Sequence, residues 1–242
     1  AYKFGSILNG AGLFPAGDKY TSPAGWTATV DAFWSSVDAA FRDRPFRIPL
    51  MWATDAVHGH NNVFGATICP HNIGLGCADD PDLIRRIGVA TAREIAATGM
   101  DWTFAPNVAT PRDYRWGRHF EGYSESPEVV SRYARAMVEG LQGSAAAAGL
   151  AAPDKVIACT KHWIADGGTR QGVDRGDCHD GEDVLRNIHA AGYFSGIEAG
   201  AQSVMVSFSG WRPDNYDHSP ELPGEYNAKL CGSRRLITDI LK

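Results

Sequence analysis

The side chains best suited to chemistry lie in three short polar stretches, each of which follows an apolar run. The stretch 112–125 combines arginines, aromatic residues, a histidine and carboxylates. Arginine forms paired hydrogen bonds with carboxylates or vicinal hydroxyls, and the neighbouring Trp116 offers a flat apolar face. This mixture suits a sugar, nucleotide or phosphate ligand. A charge-paired loop that only stabilises the fold is the alternative interpretation.

The second polar stretch begins at Asp55, directly after the apolar run 48–53. A carboxylate at the end of a strand can bind two vicinal hydroxyls, act as a base or cap the next turn. His58 and His60 raise the question of a zinc site, because imidazole is a common zinc ligand. No third ligand shows a matching spacing, and the two asparagines at 61–62 indicate a hydrogen-bonded turn. We therefore expect no metal site.

The third polar stretch begins with Lys161 and His162, at the end of the apolar run 155–160. Burying both side chains is costly unless each has a partner, so the pair favours a ligand site. A buried, hydrogen-bonded His162 is the simpler alternative, and Lys161 could also form a Schiff base as in barrel aldolases. Arg175 lies in the following loop and could reach the same point. Together the three stretches suit an array of sugar hydroxyls.

Alternating strands and helices must position these side chains. Apolar runs predict strands, and apolar spacing of three and four predicts helices. No hairpin signal interrupts the alternation, which favours a parallel sheet covered by helices, with its site at the carboxyl ends of the strands. No G-x-x-x-x-G-K-[ST] phosphate loop is present. Strands are expected at 4–8, 48–53, 102–105, 155–160 and 203–208, and helices at 27–42, 82–98, from 126, 182–199 and 233–242.

The composition excludes several classes of protein. The chain has 242 residues, of which 44% are hydrophobic and 21% charged, as in globular proteins with a sizeable core. A net charge of -5 argues against a nucleic-acid partner. No apolar stretch approaches the roughly 18 to 20 residues that span a bilayer. The five cysteines fit no zinc pattern. Cys159 is expected to be buried, and Cys69 and Cys77 could pair only if the turn between them allows it.

Five motifs occur in order along the chain: TDAVHGHNN at 54–62, ATICPHNIGLG at 66–76, APN at 105–107, RDYRWGRHFEGYSE at 112–125 and KHWIADGG at 161–168. Together they closely resemble glycoside hydrolase family 3, nearest to its β-glucosidases and exo-acting 1,3/1,4-β-glucanases. The resemblance implies an α/β fold, a (β/α)8 TIM-barrel-like domain. Residues 1–242 are expected to form an incomplete barrel of about five βα units, with the remaining strands and a second domain outside them.

The resemblance also implies which side chains contact a non-reducing glucosyl unit. Arg175 stands at a position whose residue type varies in the family, and Met205 could line the same site. Phe208 stands where some relatives carry a Tyr, so one hydroxyl contact is expected to be missing. The substrate-binding residues carried over from the motifs are Asp55, Arg118, Lys161, His162, Arg175 and Met205.

The reaction implied is hydrolysis of terminal non-reducing β-D-glucosyl residues with retention, by an aspartate nucleophile and a glutamate acid/base. By the resemblance the nucleophile is expected after Lys242 and the acid/base in the second domain. No catalytic residue is expected within 1–242, and the isolated chain is expected to be inactive. Glu121 is expected to fix an arginine rather than transfer a proton. No cofactor is implied.

Two alternatives remain beside this interpretation. A β-N-acetylglucosaminidase branch of the same family uses an Asp-His pair, and residues 177–179 (Asp-Cys-His) are similar to it, although its Pro-Gly-His-Gly pattern is replaced at 164–168. The chain could also be a non-catalytic sugar-binding fragment. The expected partners are β-linked glucosides or gluco-oligosaccharides, the remainder of the barrel and a second domain. We expect an extracellular or periplasmic location.

Overall fold

One parallel sheet of five strands organises the protein. A computed structural model describes residues 3–9, 12–144, 149–213 and 229–242. The sheet has the strand order β1-β2-β3-β4-β6, with every pair parallel, and forms a half-barrel. The predicted parallel α/β fold is therefore confirmed. The strands are β1 (Ser6–Asn9), β2 (Met51–Thr54), β3 (Trp102–Thr103), β4 (Ile157–Trp163), β5 (Asp177–Cys178), β6 (Ser203–Val206) and β7 (Gly210–Trp211).

Helices connect successive strands, and three of them begin in the same way. The side chains of Ser22, Asp80 and Ser126 each accept a hydrogen bond from a backbone N–H in the first turn, and each is followed by proline. The caps predicted at 80 and 126 are confirmed. The helices are α1 (Pro23–Ala40), α2 (Asn72–Gly76), α3 (Pro81–Ala97), α4 (Pro127–Gln142), α5 (Glu182–Val184) and α6 (Ala191–Glu198), with π-helical segments at Leu185–His189 and Arg235–Leu241.

The helix predicted at 182–199 is wrong in one respect, because the π-helical turn Leu185–His189 interrupts it. Ala190 N–H donates to the Leu185 carbonyl at 2.9 Å, one residue further than in an α-helix. Apolar spacing does not reveal this extra residue. The prediction also missed α2, whose two glycines have low helix propensity. It missed the small parallel sheet of β5 and β7, since strands of two residues carry no pattern.

The two faces of the sheet have different environments. Successive side chains of a strand point to opposite faces. On β2, Trp52 packs into the large core beneath the helices, whereas Ala53 belongs to a small inner cluster with Phe104 and Cys159. Cys159 is buried, as predicted. Because Asp55 lies two residues after Ala53 and Lys161 two after Cys159, the side chains of Asp55 and Lys161 lie on the inner side.

Two further findings concern the chain as described. Within residues 3–9, 12–144, 149–213 and 229–242, no helix has the length and apolar character needed to cross a bilayer. Cys69, Cys77, Cys159, Cys178 and Cys231 all carry free thiols, so the turn between Cys69 and Cys77 does not bring them into a disulfide.

Candidate functional site

Lys161 and Asp55 form an ion pair at the carboxyl ends of β4 and β2. Lys161 Nζ donates to Asp55 Oδ1 at 2.6 Å. The lysine side chain is only 4% exposed, whereas that of Asp55 is 32% exposed. The carboxylate therefore compensates the buried ammonium and still faces solvent. Asp55 Oδ2 makes no hydrogen bond within the described part of the chain, so it is available to accept one from a ligand.

Arg118 is fixed by Glu121 in a bidentate pair. Its Nε donates to Oε1 at 2.7 Å and its Nη2 to Oε2 at 2.8 Å. Asn107 Nδ2 also donates to Glu121, at 3.1 Å. Burial lowers the pKa of Arg118, but the bond to Glu121 and the charges of Asp166 and Asp174 outweigh it, so the pKa is raised. Burial raises the pKa of Glu121, and Arg118, Lys161 and Asn107 outweigh it, so that pKa is lowered. Both groups are ionised at neutral pH.

His162 lies between Asp166 and Arg118. Its Nδ1 is 2.7 Å from Asp166 Oδ2, and its Nε2 is 3.3 Å from Arg118 Nη2. A carboxylate accepts hydrogen bonds and a guanidinium only donates them. Nδ1 therefore donates to Asp166, and Nε2 accepts from the arginine. His162 and Asp166 are both buried.

An irregularity in β4 places both Lys161 and His162 in the site. In the pairing with β6, Lys161 is opposite Met205 but Trp163 is opposite Val206, so the register shifts at His162. Adjacent residues of a regular strand would point to opposite faces. The bulge turns the side chain of His162 to the same face as that of Lys161, so one strand end supplies two consecutive ligand-binding candidates.

The structure brings most of the predicted substrate-binding residues into contact and leaves Arg175 apart from them. Asp55 and Lys161 bond directly, as do Arg118 and His162. Met205 is in register with Lys161 on the neighbouring strand and packs against the inner cluster. Arg175 is exposed, and its guanidinium lies 5.5 Å from the ring centroid of Phe208. Within the described residues it forms no hydrogen bond or ion pair with any of the other predicted substrate-binding residues.

His58 and His60, the histidines weighed as zinc ligands, point into separate surroundings. His58 Nδ1 is 2.9 Å from the Cys69 carbonyl, and the fully buried His60 bonds Thr98 Oγ1 at 2.9 Å. Burial lowers the pKa of His60 to about 4. Both histidines therefore support the fold of the loop after β2.

Sequence reasoning missed two polar residues that support the candidate site. Asn107 fixes Glu121, and Asp166 fixes His162. Asp174, which precedes Arg175 in the loop after β4, accepts a hydrogen bond from Trp116 Nε1 at 3.1 Å. Trp116 is buried, so its indole N–H requires such a partner. The four-residue spacing of His162 and Asp166 is the one signal that could have been read from the sequence.

A parallel strand-helix sheet bent into a half-barrel, with charged side chains at the carboxyl ends of its strands, defines an enzyme domain of the (β/α)8 type. The chain belongs to glycosyl hydrolase family 3, since the family model described as the glycosyl hydrolase family 3 N-terminal domain matches residues 1–242.

Relatives of known activity support the same assignment. The exo-1,3/1,4-β-glucanase from a Pseudoalteromonas species is 49% identical with a TM-score of 0.89, covering 100% of this chain and 28% of that one. A periplasmic β-glucosidase of Salmonella typhimurium is 33% identical over 163 residues, or 67% of this chain and 20% of the relative. A lysosomal β-glucosidase of Dictyostelium discoideum is 30% identical over 214 residues, 85% of this chain and 25% of the relative. The chain thus spans a quarter or less of these two curated relatives.

Proposed function

We propose that this domain binds the terminal non-reducing glucosyl residue of β-glucosides or β-glucans in an enzyme that hydrolyses them with retention. The observation that carries the proposal is the Asp55–Lys161 pair. Lys161 occupies Oδ1, and the other oxygen of this partly exposed carboxylate can accept hydrogen bonds from sugar hydroxyls. The likeness to a β-glucanase and to β-glucosidases supports glucose as the sugar.

The remaining side chains have distinct roles in this proposal. Arg118 uses Nε and Nη2 to hold Glu121, so within the described residues its Nη1 is available to donate to a hydroxyl. His162 bonds the same guanidinium and limits its rotation. Met205 contributes an apolar surface beside Lys161. Arg175 and Phe208, both exposed at the edge, contact the parts of the substrate beyond the first sugar.

The carboxylates of this site bind and orient rather than attack. Asp55 is paired with Lys161, Glu121 with Arg118 and Asp166 with His162. A retaining mechanism needs a free nucleophilic carboxylate and a second carboxyl that is protonated at working pH. The lowered pKa of Glu121 opposes the second role. We therefore propose that the catalytic pair of the enzyme is supplied from outside residues 1–242.

The setting of the enzyme follows from its relatives. Two curated relatives are named as periplasmic enzymes. We propose a periplasmic or secreted location, with β-linked glucosides or gluco-oligosaccharides as substrates. In the whole enzyme, the inner face and open sheet edges contact the rest of a barrel and a second domain.

The test is the rate and stereochemistry of hydrolysis by the whole enzyme. We expect aryl β-D-glucosides and laminaribiose to be cleaved, with β-glucose as the first anomer detected by proton NMR. The substrate for comparison is the corresponding aryl N-acetyl-β-D-glucosaminide. A higher kcat/KM for the glucosaminide would favour the other branch of the family, and α-glucose as the first product would contradict a retaining mechanism.

A further inference from the structure

Cys178, Asp180 and His189 bring three potential metal ligands to one point, and none of them belongs to the candidate sugar-binding set. Their ligand atoms, one from each side chain, all lie within 4.8 Å of one another. His189 Nε2 is 3.0 Å from Asp180 Oδ2, and Cys178 Sγ is 3.6 Å from the same oxygen. Ligands bound to a tetrahedral zinc ion lie about 3.3 to 3.8 Å apart. Small side-chain adjustments would therefore admit an ion.

The ligand types indicate which ion fits. A thiolate, an imidazole and one carboxylate form a mixed ligand set of borderline softness, which suits zinc. Calcium and magnesium prefer oxygen ligands, so this set does not suit them. Cys178 is fully buried and the His189 side chain is 1% exposed, whereas the Asp180 side chain is 38% exposed. The opening beside Asp180 gives access to the ion and to a water molecule as fourth ligand.

The surrounding backbone holds this cluster in place. Cys178 lies in β5, which pairs with β7, and Trp211 Nε1 donates to the Asp180 carbonyl at 2.9 Å. His189 ends the π-helical turn Leu185–His189, and π-helical turns occur frequently at functional sites.

The backbone of Gly168 packs directly against the cluster. A Cβ at this position would lie 2.5 Å from His189 Nε2 and 3.3 Å from Asp180 Oδ2. Any larger residue would displace the imidazole. The backbone thus approaches the cluster as closely as glycine permits and holds the His189 imidazole against Asp180.

We propose that Cys178, Asp180 and His189 bind one zinc ion. The ion braces the loop between β4 and α5. The turn Asp166–Gly168 belongs to that loop, so the same ion stabilises the position of Asp166, the partner of His162. Binding replaces the thiol proton of Cys178, which passes to solvent. The spacing of 178, 180 and 189 matches no common zinc motif, which explains why the sequence predicted none.

Metal titration of the protein tests this proposal. After chelator treatment with the thiols reduced, one equivalent of Co²⁺ should produce a thiolate-to-cobalt charge-transfer band and tetrahedral ligand-field bands, and one equivalent of Zn²⁺ should abolish them. Cys178→Ser should remove the charge-transfer band. Cys231→Ser, which changes an exposed thiol, is the matched control and should leave it intact.

A second variant keeps the test decisive if Cys178→Ser does not fold. Asp180→Asn alters a partly exposed ligand and should weaken zinc binding at least tenfold, whereas the exposed Asp183→Asn should not change it. At equal concentration, zinc should also raise the Tm of the Asp183 variant more than that of the Asp180 variant. Absence of a charge-transfer band in the unaltered protein, or equal zinc affinity in the two aspartate variants, overturns the proposal.

Discussion

Lys161 Nζ donates to Asp55 Oδ1 at 2.6 Å although the two residues are 106 positions apart in the sequence. The contact joins the ends of β4 and β2 across the intervening strand β3. It neutralises a buried ammonium and fixes one oxygen of a carboxylate whose side chain remains partly exposed. This pair is the basis of the first prediction.

Asp55→Asn should lower the kcat/KM of the whole enzyme for aryl β-glucosides by roughly 150-fold or more. This fall corresponds to a loss of about 3 kcal/mol or more of transition-state stabilisation. The variant loses a charged hydrogen bond to the sugar and leaves Lys161 buried without an anion. Steady-state kinetics measures the effect. Asp43→Asn, at an exposed ion pair with Lys3, is the control. An unchanged kcat/KM in the Asp55 variant would count against its assignment to the substrate.

His162 should carry its proton on Nδ1 and not on Nε2. The Asp166 carboxylate can only accept and the Arg118 guanidinium can only donate, so the two partners determine the tautomer. Long-range ¹H–¹⁵N spectra of histidine-labelled protein distinguish the two nitrogens. Asp166→Ala should weaken this preference, while Asp174→Asn should not. A proton found on Nε2 in the unaltered protein would refute the assignment.

Glu121→Gln should lower kcat/KM by roughly 10- to 150-fold, the equivalent of about 1.5 to 3 kcal/mol for a charged hydrogen bond. The cause is loosening of Arg118, which loses its bidentate partner. The pH profile of kcat/KM should keep both of its limbs. Loss of the alkaline limb would instead identify Glu121 as the catalytic acid. Glu125→Gln, at the edge of the same loop, should change kcat/KM much less.

The stability of the protein should depend on His60 below neutral pH. Its pKa is about 4 in the folded state and about 6.5 in the unfolded state, so between these values the unfolded chain binds more protons and stability decreases as the pH falls. From pH 7 to pH 5 this contribution is about 2 kcal/mol. His60 Nε2 bonds Thr98 Oγ1, whereas Nδ1 is buried and has no hydrogen-bond partner among the residues that the structure describes. A proton added to Nδ1 would therefore find no acceptor there.

Urea unfolding at the two pH values measures this contribution. His60→Gln retains a donor for Thr98 and removes the titrating group, so its free energy of unfolding should fall less between pH 7 and pH 5 than that of the unaltered protein. An equal fall in both proteins would show that His60 does not contribute. His119→Gln, which changes a histidine outside the core, should behave like the unaltered protein.

The isolated polypeptide 1–242 should not hydrolyse aryl β-glucosides. Asp55, Glu121 and Asp166 of its candidate site are each paired with a cation or an imidazole, as expected of carboxylates that bind and orient a substrate. Release of the aryl group is measured against the whole enzyme at equal concentration. Turnover within tenfold of the whole enzyme would show that the nucleophile lies within these residues.

Most of the fold followed from the sequence because its signals are local. Apolar runs located the five main strands, and the N-caps at Asp80 and Ser126 located the starts of α3 and α4. The errors occurred where the local signal is weak. The π-helical turn Leu185–His189 differs from an α-helix by a single hydrogen-bond step, and β5 and β7 exist only because they pair with each other.

The sequence by itself determined the parallel α/β fold, the family and the side chains that follow the strands, because strand and helix periods and ordered motifs are properties of neighbouring residues. Only the tertiary structure decided which of them meet. It paired Lys161 with Asp55, placed His162 between Asp166 and Arg118 through a bulge in β4, and left Arg175 apart from them. It also assembled Cys178, Asp180 and His189. These contacts depend on strand register and backbone direction, which long-range packing sets.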